Sequence, residues 1–488
     1  MTNFNFFIDG PIVLIYLVGT IAAGLWARKY VRTVADYLVA GRSVNLYLGI
    51  ASLAATEFGI ATFMANAELG YKYGFAGTTP GVTTAIAMFL VGWTGFCIKP
   101  LRDQQAMTLP ELFENKFGKW VRWGSGVVIV LGGLLNMGVF LRMGGNFLTV
   151  VCGFDMAYLE IVMTVILIGV AIYTIVGGML SVFITDYIQF IFMSVGLIMV
   201  IFLLLINFGW FEMMNTLDRE IGPPAFNPFI GDTYGFDRIL LDCCLALASV
   251  LTWQTTLSRV LSAKDTKTAK GIYIGTSPFF LVRFILPAII GIAALHYFGP
   301  VYTGSESIFA MPYLMATILP VGLLGLMVAA MLAADMSTNS SYMIAWSSVI
   351  YNDIMKPIHK GLWSDKKGIM WNRILVGSIG IFLLLYGLWY PLEGDLWVYL
   401  QVTGTIYLAS MSVLLIAACY WKNANNWGAT AAIVTGCVIP LGYLIFKEVP
   451  ATMDAVNAIG PYKIGVSTYI LTGVAMWLGS ILKIKIKN

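Results

Sequence analysis

Residues 333–341, AADMSTNSS, interrupt an apolar segment that runs from Val321 to Ile350. A charged group together with hydroxyl and amide side chains is costly in hydrocarbon unless these groups are paired or face a cavity. Hydroxyl oxygens at mid-membrane depth suit a small hard cation such as Na⁺, because such cations prefer oxygen ligands. The stretch therefore predicts an ion-coupled transporter rather than a passive membrane scaffold.

The composition places the chain in a membrane. Of its 488 residues 59% are hydrophobic and 11% are charged, and the mean hydropathy is +0.82, which excludes a soluble globule. The net charge of +4 does not indicate binding to nucleic acid. The two histidines and six cysteines are not spaced as metal ligands. We therefore expect the lipid bilayer, Na⁺ and a small organic solute as partners, with no cofactor beyond the coupling ion, no nucleic acid and no obligate protein partner.

Functions of a different class are a membrane enzyme and a membrane sensor. An enzyme would need a catalytic set, such as clustered histidines, a Cys–His pair or paired acids near an interface. A sensor would usually carry a signalling module after its spans. Neither feature is visible in the sequence. We therefore expect a transporter and not an enzyme.

The apolar stretches predict an all-α membrane protein. Only helices or closed barrels satisfy backbone hydrogen bonds in lipid, and the alternation typical of strands is absent. We predict about 13 transmembrane helices, at residues 10–27, 45–72, 77–98, 122–150, 157–177, 182–206, 237–260, 271–296, 318–350, 371–390, 396–420, 427–446 and 466–482.

The distribution of charge predicts the orientation in the cell membrane. Loops that contain clusters of lysine and arginine alternate with loops that are acidic or neutral. By the positive-inside rule, the basic loops are cytoplasmic. This places the N-terminus outside and the C-terminus in the cytoplasm, in agreement with an odd number of spans.

Two predicted spans contain polar interruptions. The second includes residues 54–62, AATEFGIAT, and the seventh includes residues 252–256, TWQTT. Spans that are five apart have opposite membrane orientations. Broken helices at corresponding positions of two inverted halves indicate a solute site at mid-membrane depth. The alternative is two intact helices with polar packing seams.

Several local strings resemble the sodium:solute symporter family. They are residues 35–43, ADYLVAGRS; residues 173–178, YTIVGG, followed by residues 185–189, TDYIQ; and residues 259–263, RVLSA. Together with the predicted spans, the resemblance covers almost the full length of the chain.

The resemblance implies a leucine-transporter-like fold with two inverted five-helix repeats. An extra N-terminal helix and a cytoplasmic loop would occupy residues 1–44. The two repeats would occupy residues 45–206 and 237–420. Two peripheral helices would complete the chain at residues 421–488.

The resemblance also implies a main sodium site. Backbone carbonyls at the break of the second span and hydroxyls on the ninth would form it, at Ala55, Phe58, Ala334, Ser337 and Thr338. Elementary chemistry agrees, because hydroxyls and unwound backbone offer oxygens that can replace a hydration shell. The alternative is that the hydroxyls only bond back to carbonyls of the preceding helical turn.

Some family members bind a second sodium, and the matching residues here are Asp186, Ser337, Ser340 and Ser341. The alternative for Asp186 is a charge near a helix N-terminus that the helix dipole stabilises. Asp335 has no role implied by the resemblance. Because an isolated aspartate at this depth is costly, we expect that it tunes the ion site or is protonated.

The polar residues of the predicted cavity leave the solute class open. The candidates for solute binding are Glu57, Arg142, Trp253, Gln254, Arg283 and Gln401. Two arginines favour an organic acid or acidic sugar, since guanidinium binds carboxylate bidentately. If an arginine instead pairs with Glu57 or Asp335, the cavity suits a neutral sugar or polyol. An aromatic face beside a carboxylate would suit an amino acid or a choline-like cation.

Overall fold

The computed structural model describes residues 2–103, 106–230, 234–359, 363–390 and 395–487. Apart from one isolated bridge between Val44 and Ala263, these residues form helices and loops. The helices of the first half are α1 Asp9–Ala27, α2 Val34–Val39, α3 Leu46–Glu57, α4 Ile60–Tyr73, α5 Thr79–Thr94, α6 Ile98–Asp103, α7 Leu109–Phe117, α8 Lys119–Met137, α9 Phe140–Cys152, α10 Leu159–Phe208 and α11 Trp210–Glu220.

The second half continues with helices only. They are α12 Phe236–Thr252, α13 Gln254–Ser262, α14 Thr266–Phe298, α15 Ala310–Ile318, α16 Leu323–Val349, α17 Lys356–Ile358, α18 Asp365–Trp389, α19 Leu396–Tyr420, α20 Asn426–Lys447, α21 Pro450–Ile459 and α22 Pro461–Lys487. A π-helical turn at Ile350–Met355 joins α16 to α17. Short 3-10 turns lie at Arg28–Tyr30, Ala40–Arg42, Gly74–Thr78, Met156–Tyr158, Pro223–Ala225 and Gly304–Phe309.

In the described part of the chain, eleven helical segments are long and apolar enough to cross a membrane, so the protein is a multi-pass integral membrane protein. Two of these segments each combine parts or all of two predicted spans. The segment Met156–Phe208 changes direction at Gly178, which has φ +58° and ψ −152°. The segment Ile60–Thr94 joins α4 to α5 through a 3-10 turn. The count of 13 crossings and the orientation of the termini stay predictions.

Both predicted helix interruptions are confirmed. Between α3 and α4, Phe58 and Gly59 leave the helical conformation, with ψ values of +38° and +154°. A side chain at Gly59 would overlap Thr338 of α16, so glycine lets the two helices approach closely at the break. Between α12 and α13, Trp253 is extended, with ψ +120°.

Helix α16 forms the centre of the molecule. Every residue from Met327 to Val349 is buried, and the helix packs against α3, α8, α9, α10 and α13. The helices α20 and α22 pack on each other and on α19 at one side, and many of their large apolar side chains are exposed, as expected of surfaces that face lipid. The polar stretch of α16 therefore faces other helices and not lipid.

Candidate functional site

A cavity of about 120 Å³ lies beside the two helix breaks. Residues of α3, α4, α5, α8, α9, α12, α13, α14, α16 and α19 line it, together with Trp253 at the second break. Four predicted solute-binding residues are among them: Glu57, Trp253, Arg283 and Gln401. The structure therefore gathers these four residues from distant parts of the sequence around one space.

Glu57 and Arg283 form a buried ion pair at this cavity. Arg283 Nη1 lies 3.1 Å from Glu57 Oε2, and the two residues are 9% and 8% exposed. The other carboxylate oxygen accepts hydrogen bonds from the hydroxyls of Thr255 and Thr256, at 3.1 and 3.2 Å. Thus Glu57, at the end of α3, ties the first break to the start of α13 and to α14. The positive charge of Arg283 is neutralised within the protein.

A second acid, Asp242, lines the cavity beside Gln401. Asp242 of α12 accepts hydrogen bonds from Gln401 Nε2 at 2.7 Å and from the Tyr234 hydroxyl at 2.6 Å. Gln401 Oε1 has no hydrogen-bond partner among the described residues. We did not single out Asp242 from the sequence. An acid in the apolar segment 236–252 was the available signal, because charges inside membrane helices usually have a function.

Trp253 belongs to an aromatic cluster that forms part of the cavity wall. Its ring stacks on Tyr407, with centroids 5.6 Å apart and planes at 25°. Its indole nitrogen donates to the Tyr342 hydroxyl at 3.1 Å. One face of the indole and its single donor are therefore already in use.

The remaining two predicted solute-binding residues do not line the cavity. Gln254 is buried as the first residue of α13. Arg142 points to the C-terminal end of α18, where its Nη1 donates to the carbonyls of Gly387 at 2.8 Å and Leu388 at 3.4 Å. Carbonyls in the last turn of a helix lack intrahelical donors, and a cation there is favoured by the helix dipole. Arg142 therefore has a structural partner away from the cavity, which corrects its predicted placement there.

One residue of the predicted main sodium site, Thr338 of α16, contacts the first break. Ala334, Ser337 and Thr338 lie on one face of α16, since positions three and four apart are neighbours on a helix. The Thr338 hydroxyl donates to the Thr56 carbonyl at 2.8 Å. The Ala55 carbonyl accepts a turn-type bond from the Phe58 amide at 3.2 Å. Backbone at the break and one hydroxyl of α16 are therefore in direct contact.

Two residues of the predicted second sodium site, Asp186 and Ser341, contact an arginine. Asp186 Oδ2 lies 3.1 Å from Arg259 Nη2, and both residues are 0% exposed. Asp186 also accepts hydrogen bonds from the hydroxyls of Ser52 at 2.5 Å and Ser337 at 2.6 Å. Arg259 Nη2 donates to the Ser341 hydroxyl at 2.6 Å. A guanidinium thus lies between Asp186 and Ser341.

Two further observations bear on that second site. The Ser340 hydroxyl bonds back to the Ser337 carbonyl at 3.1 Å, as serines in membrane helices often do. Asp186 lies more than one turn beyond Gly178, inside α10, so the alternative of a first-turn charge stabilised by a helix terminus is wrong. From the sequence, Arg259 is identified only as part of the motif at residues 259–263. A cation close to an interrupted apolar span was the signal that could have identified its role.

Asp335 is buried beside α9. Neither of its carboxylate oxygens has a hydrogen-bond partner in the described part of the chain. A Cβ placed on Gly144 would lie 2.9 Å from Asp335 Oδ1, so a small residue on α9 makes room for this side chain. The geometry is compatible with the expected protonated form, because an unpaired carboxylate at this depth is costly.

Comparison with known proteins gives matches to symporters, cotransporters and transporters. The model of the family described as "SSF: Sodium:solute symporter family" matches residues 37–436. The chain is 28% identical to sodium/glucose cotransporter 4 of Danio rerio, over 91% of this chain and 72% of that protein. It is 25% identical to the high-affinity proline transporter PutP of Bacillus subtilis, over 85% and 87% of the two chains.

A solved structure has the same fold. A sodium-coupled sialic acid symporter in a substrate-bound, outward-open state superposes with a TM-score of 0.83 at 21% identity, and the match covers 98% of each chain.

Proposed function

Because this chain belongs to the sodium:solute symporter family, we propose that it couples the entry of Na⁺ to the uptake of a small neutral polyhydroxylated solute, a sugar or a polyol. The protein is a transporter and not an enzyme. The observation that supports a neutral solute is the ion pair between Arg283 and Glu57.

The cavity offers a neutral solute hydrogen bonds without an unpaired cation. Among the lining residues that the structure describes, Arg283 is the one cation, and Glu57 neutralises it. Gln401 Oε1 remains available as an acceptor, and Asp242 and Asn136 add polar groups to the wall. A site built to hydrogen-bond hydroxyl groups rejects analogues that lack them. The Danio rerio relative named for glucose supports the same solute class.

The second candidate is the organic acid or acidic sugar that the sequence favours. A carboxylate solute at Arg283 would place a second negative charge close to Glu57 in the same cavity. Holding two carboxylates beside one guanidinium is costly in a desolvated site. An amine or choline-like cation is less well supported, because Tyr407 covers one face of Trp253 and the indole donor is bonded to Tyr342.

For Na⁺ we propose five oxygen-bearing positions, Ala55 and Phe58 at the first break and Ala334, Ser337 and Thr338 on α16. The contact between Thr338 and the Thr56 carbonyl supports this site, because it brings one hydroxyl of α16 within hydrogen-bond distance of backbone at the break. Bound Na⁺ would tie α3 to α16 and stabilise the outward-open state, and separation of the helices would release it inward. At a membrane potential of 100 mV each Na⁺ that enters contributes roughly 2.3 kcal/mol.

We infer that one Na⁺ moves per cycle. A second ion at Asp186, Ser337, Ser340 and Ser341 would have to displace Arg259 from its ion pair with Asp186. The sodium dependence of uptake by reconstituted protein should therefore have a Hill coefficient near one. A value near two that Asp186→Asn lowers would instead favour the second site.

We also propose the full topology that the resemblance implies. It comprises 13 crossings, inverted repeats at residues 45–206 and 237–420, and peripheral helices at residues 1–44 and 421–488. The turn at Gly178 supports two crossings within Met156–Phe208.

Uptake into proteoliposomes tests the solute class. With an inward Na⁺ gradient, labelled glucose and myo-inositol represent neutral solutes, and glucuronate represents the acid of matched size. We expect uptake of a neutral solute that is lost when K⁺ replaces Na⁺, and rejection of the acid. Preferential uptake of glucuronate would contradict the neutral class and support the second candidate.

A further inference from the structure

An open pocket of about 1340 Å³ lies away from the solute cavity, where the end of α5 meets the start of α14. Four lysines line it: Lys99, Lys264, Lys267 and Lys270. The one acid among its described lining residues, Asp265, accepts a hydrogen bond from the Thr268 amide at 2.6 Å as the N-cap of α14. That amide lowers the pKa of Asp265, so the carboxylate stays ionised in its capping role. The pocket is therefore strongly basic.

Three of the four lysines of this pocket lack an ion-pair partner among the described residues. None of Lys264, Lys267 and Lys270 forms an ion pair with another residue that the structure describes. The Lys270 ammonium lies 3.4 Å from the position that a Cβ on Gly95 would take, so it lies against the end of α5. Cations near the start of a helix oppose the helix dipole. Three lysines clustered at the start of α14 therefore favour binding of an anion from outside the protein.

Aromatic side chains around the basic pocket indicate that it lies at a membrane–water interface. Trp93 is 65% exposed at the end of α5. Phe96 stacks on Tyr420 with centroids 5.1 Å apart, and the Cys97 amide donates to the Tyr420 hydroxyl at 3.0 Å. Tryptophan and tyrosine concentrate at the level of lipid headgroups. The lysines are on the side that the positive-inside rule assigns to the cytoplasm.

The basic pocket continues into an apolar groove. A groove of about 520 Å³ between α5 and α12 shares Thr94 and Phe96 with the pocket, and its other lining residues include Ile86, Ala87 and Leu90. Along α5 it extends from Thr83 to Thr94, which at the helical rise per residue is roughly 16 Å. That length matches one leaflet of a hydrocarbon core roughly 30 Å thick.

We propose that this pocket and groove together bind one anionic phospholipid of the cytoplasmic leaflet. Its phosphate would lie among Lys264, Lys267 and Lys270, and an acyl chain would occupy the groove along α5. A basic pocket alone would suit any phosphate. The continuous apolar groove, one leaflet deep, selects a lipid. The proposal rests on the predicted orientation, but not on the identity of the transported solute.

Native mass spectrometry of the full-length protein tests the proposal. Phosphatidylglycerol and phosphatidylcholine with identical acyl chains would be titrated separately. Wild type should retain one phosphatidylglycerol in preference to phosphatidylcholine. The variant Lys267→Gln/Lys270→Gln should bind phosphatidylglycerol about 30-fold more weakly, from about 1 kcal/mol for each lysine near a lipid surface. Filling the groove with Ala87→Trp should also weaken binding.

Lys366→Gln/Lys367→Gln is the matched control, since it removes two lysines from the first turn of α18, outside the pocket. It should bind lipid as wild type does. Equal retention of the two lipids by wild type, or an equal loss in the two double variants, would overturn the proposal. So would binding of inorganic phosphate at the lysines together with lipid binding that is unaffected by Ala87→Trp. In that case the pocket is an anion site and not a lipid site.

Discussion

At the scale of single residues, two of the buried acids are held in ion pairs with arginines. Glu57 pairs with Arg283, and Asp186 pairs with Arg259. Removing a charge from water is costly, and mutual attraction offsets this cost only with good geometry and further hydrogen bonds. Each of these carboxylates accepts such additional bonds from hydroxyl groups. The pairs therefore join helices from both halves of the chain at specific points.

Breaking the cavity pair should affect folding before selectivity. Either Glu57→Gln or Arg283→Gln alone should destabilise the protein by roughly 3–5 kcal/mol, because the partner remains as an unpaired buried charge. The double variant Glu57→Gln/Arg283→Gln should recover much of that loss. Thermal unfolding of purified protein in detergent measures both effects.

Arg142→Gln is the control for this cycle, because the side-chain hydrogen bonds of this partly buried arginine go to carbonyls of α18 and not to Glu57. It should lower stability while leaving solute preference unchanged, and it should not rescue Glu57→Gln. A double variant no more stable than its parents, or a changed solute preference in Arg142→Gln, would contradict the assignment of the ion pair.

At the scale of elements, two broken helices and one intact helix create the sites. The breaks at Phe58–Gly59 and Trp253 expose backbone polar groups in the middle of spans, which is tolerated only where they are buried in protein or line a cavity. Helix α16 is continuous through its polar stretch, and its Thr338 hydroxyl contacts backbone at the first break. The proposed sodium site therefore depends on contact between a broken and an unbroken helix.

The hydroxyls of α16 should set the affinity for Na⁺. Replacing Ser337 and Thr338 by alanine removes two oxygens, and a bond to a charged group is worth about 1.5–3 kcal/mol. The sodium concentration for half-maximal uptake should therefore rise by at least about 10-fold. Sodium titration of uptake in proteoliposomes measures this change.

Ser347→Ala/Ser348→Ala is the matched control on the same helix, since both hydroxyls only bond back to carbonyls three residues earlier, at 2.9 and 2.7 Å. It should leave the sodium dependence unchanged. Thr338→Ser, which keeps the hydroxyl, should remain close to wild type. Unaltered sodium dependence in the Ser337 and Thr338 variant would remove this site from the proposal.

At the scale of the whole molecule, the fold gathers polar groups in the interior and leaves apolar side chains on the periphery. The described part of the chain contains eleven segments able to span a membrane, and the turn at Gly178 divides one of them. The segment Ile60–Thr94 is divided in the same way by its 3-10 turn. With these two divisions, the eleven segments accommodate 13 crossings. An odd number of crossings places the termini on opposite sides.

Labelling with a membrane-impermeant maleimide should establish this topology. In a variant without the six native cysteines, Asn5→Cys should be labelled in intact cells. Lys366→Cys should be labelled only after permeabilisation, because its loop is basic and predicted to be cytoplasmic. Both positions are exposed. Labelling of both positions in intact cells would contradict the predicted orientation.

The sequence by itself determined the all-α membrane class, the interrupted spans and the family. Composition, segment length and polar residues within apolar segments are local properties, so they can be observed without knowing the packing. It also identified Glu57 and Arg283 as buried charges near a cavity and left open whether they pair. Their ion pair, the separate position of Arg142, and the contact of Arg259 with Asp186 were decided by the tertiary structure alone. The physical reason is that the direction of a long side chain depends on how helices distant in the sequence pack, and each charge takes the partner that this packing brings within reach.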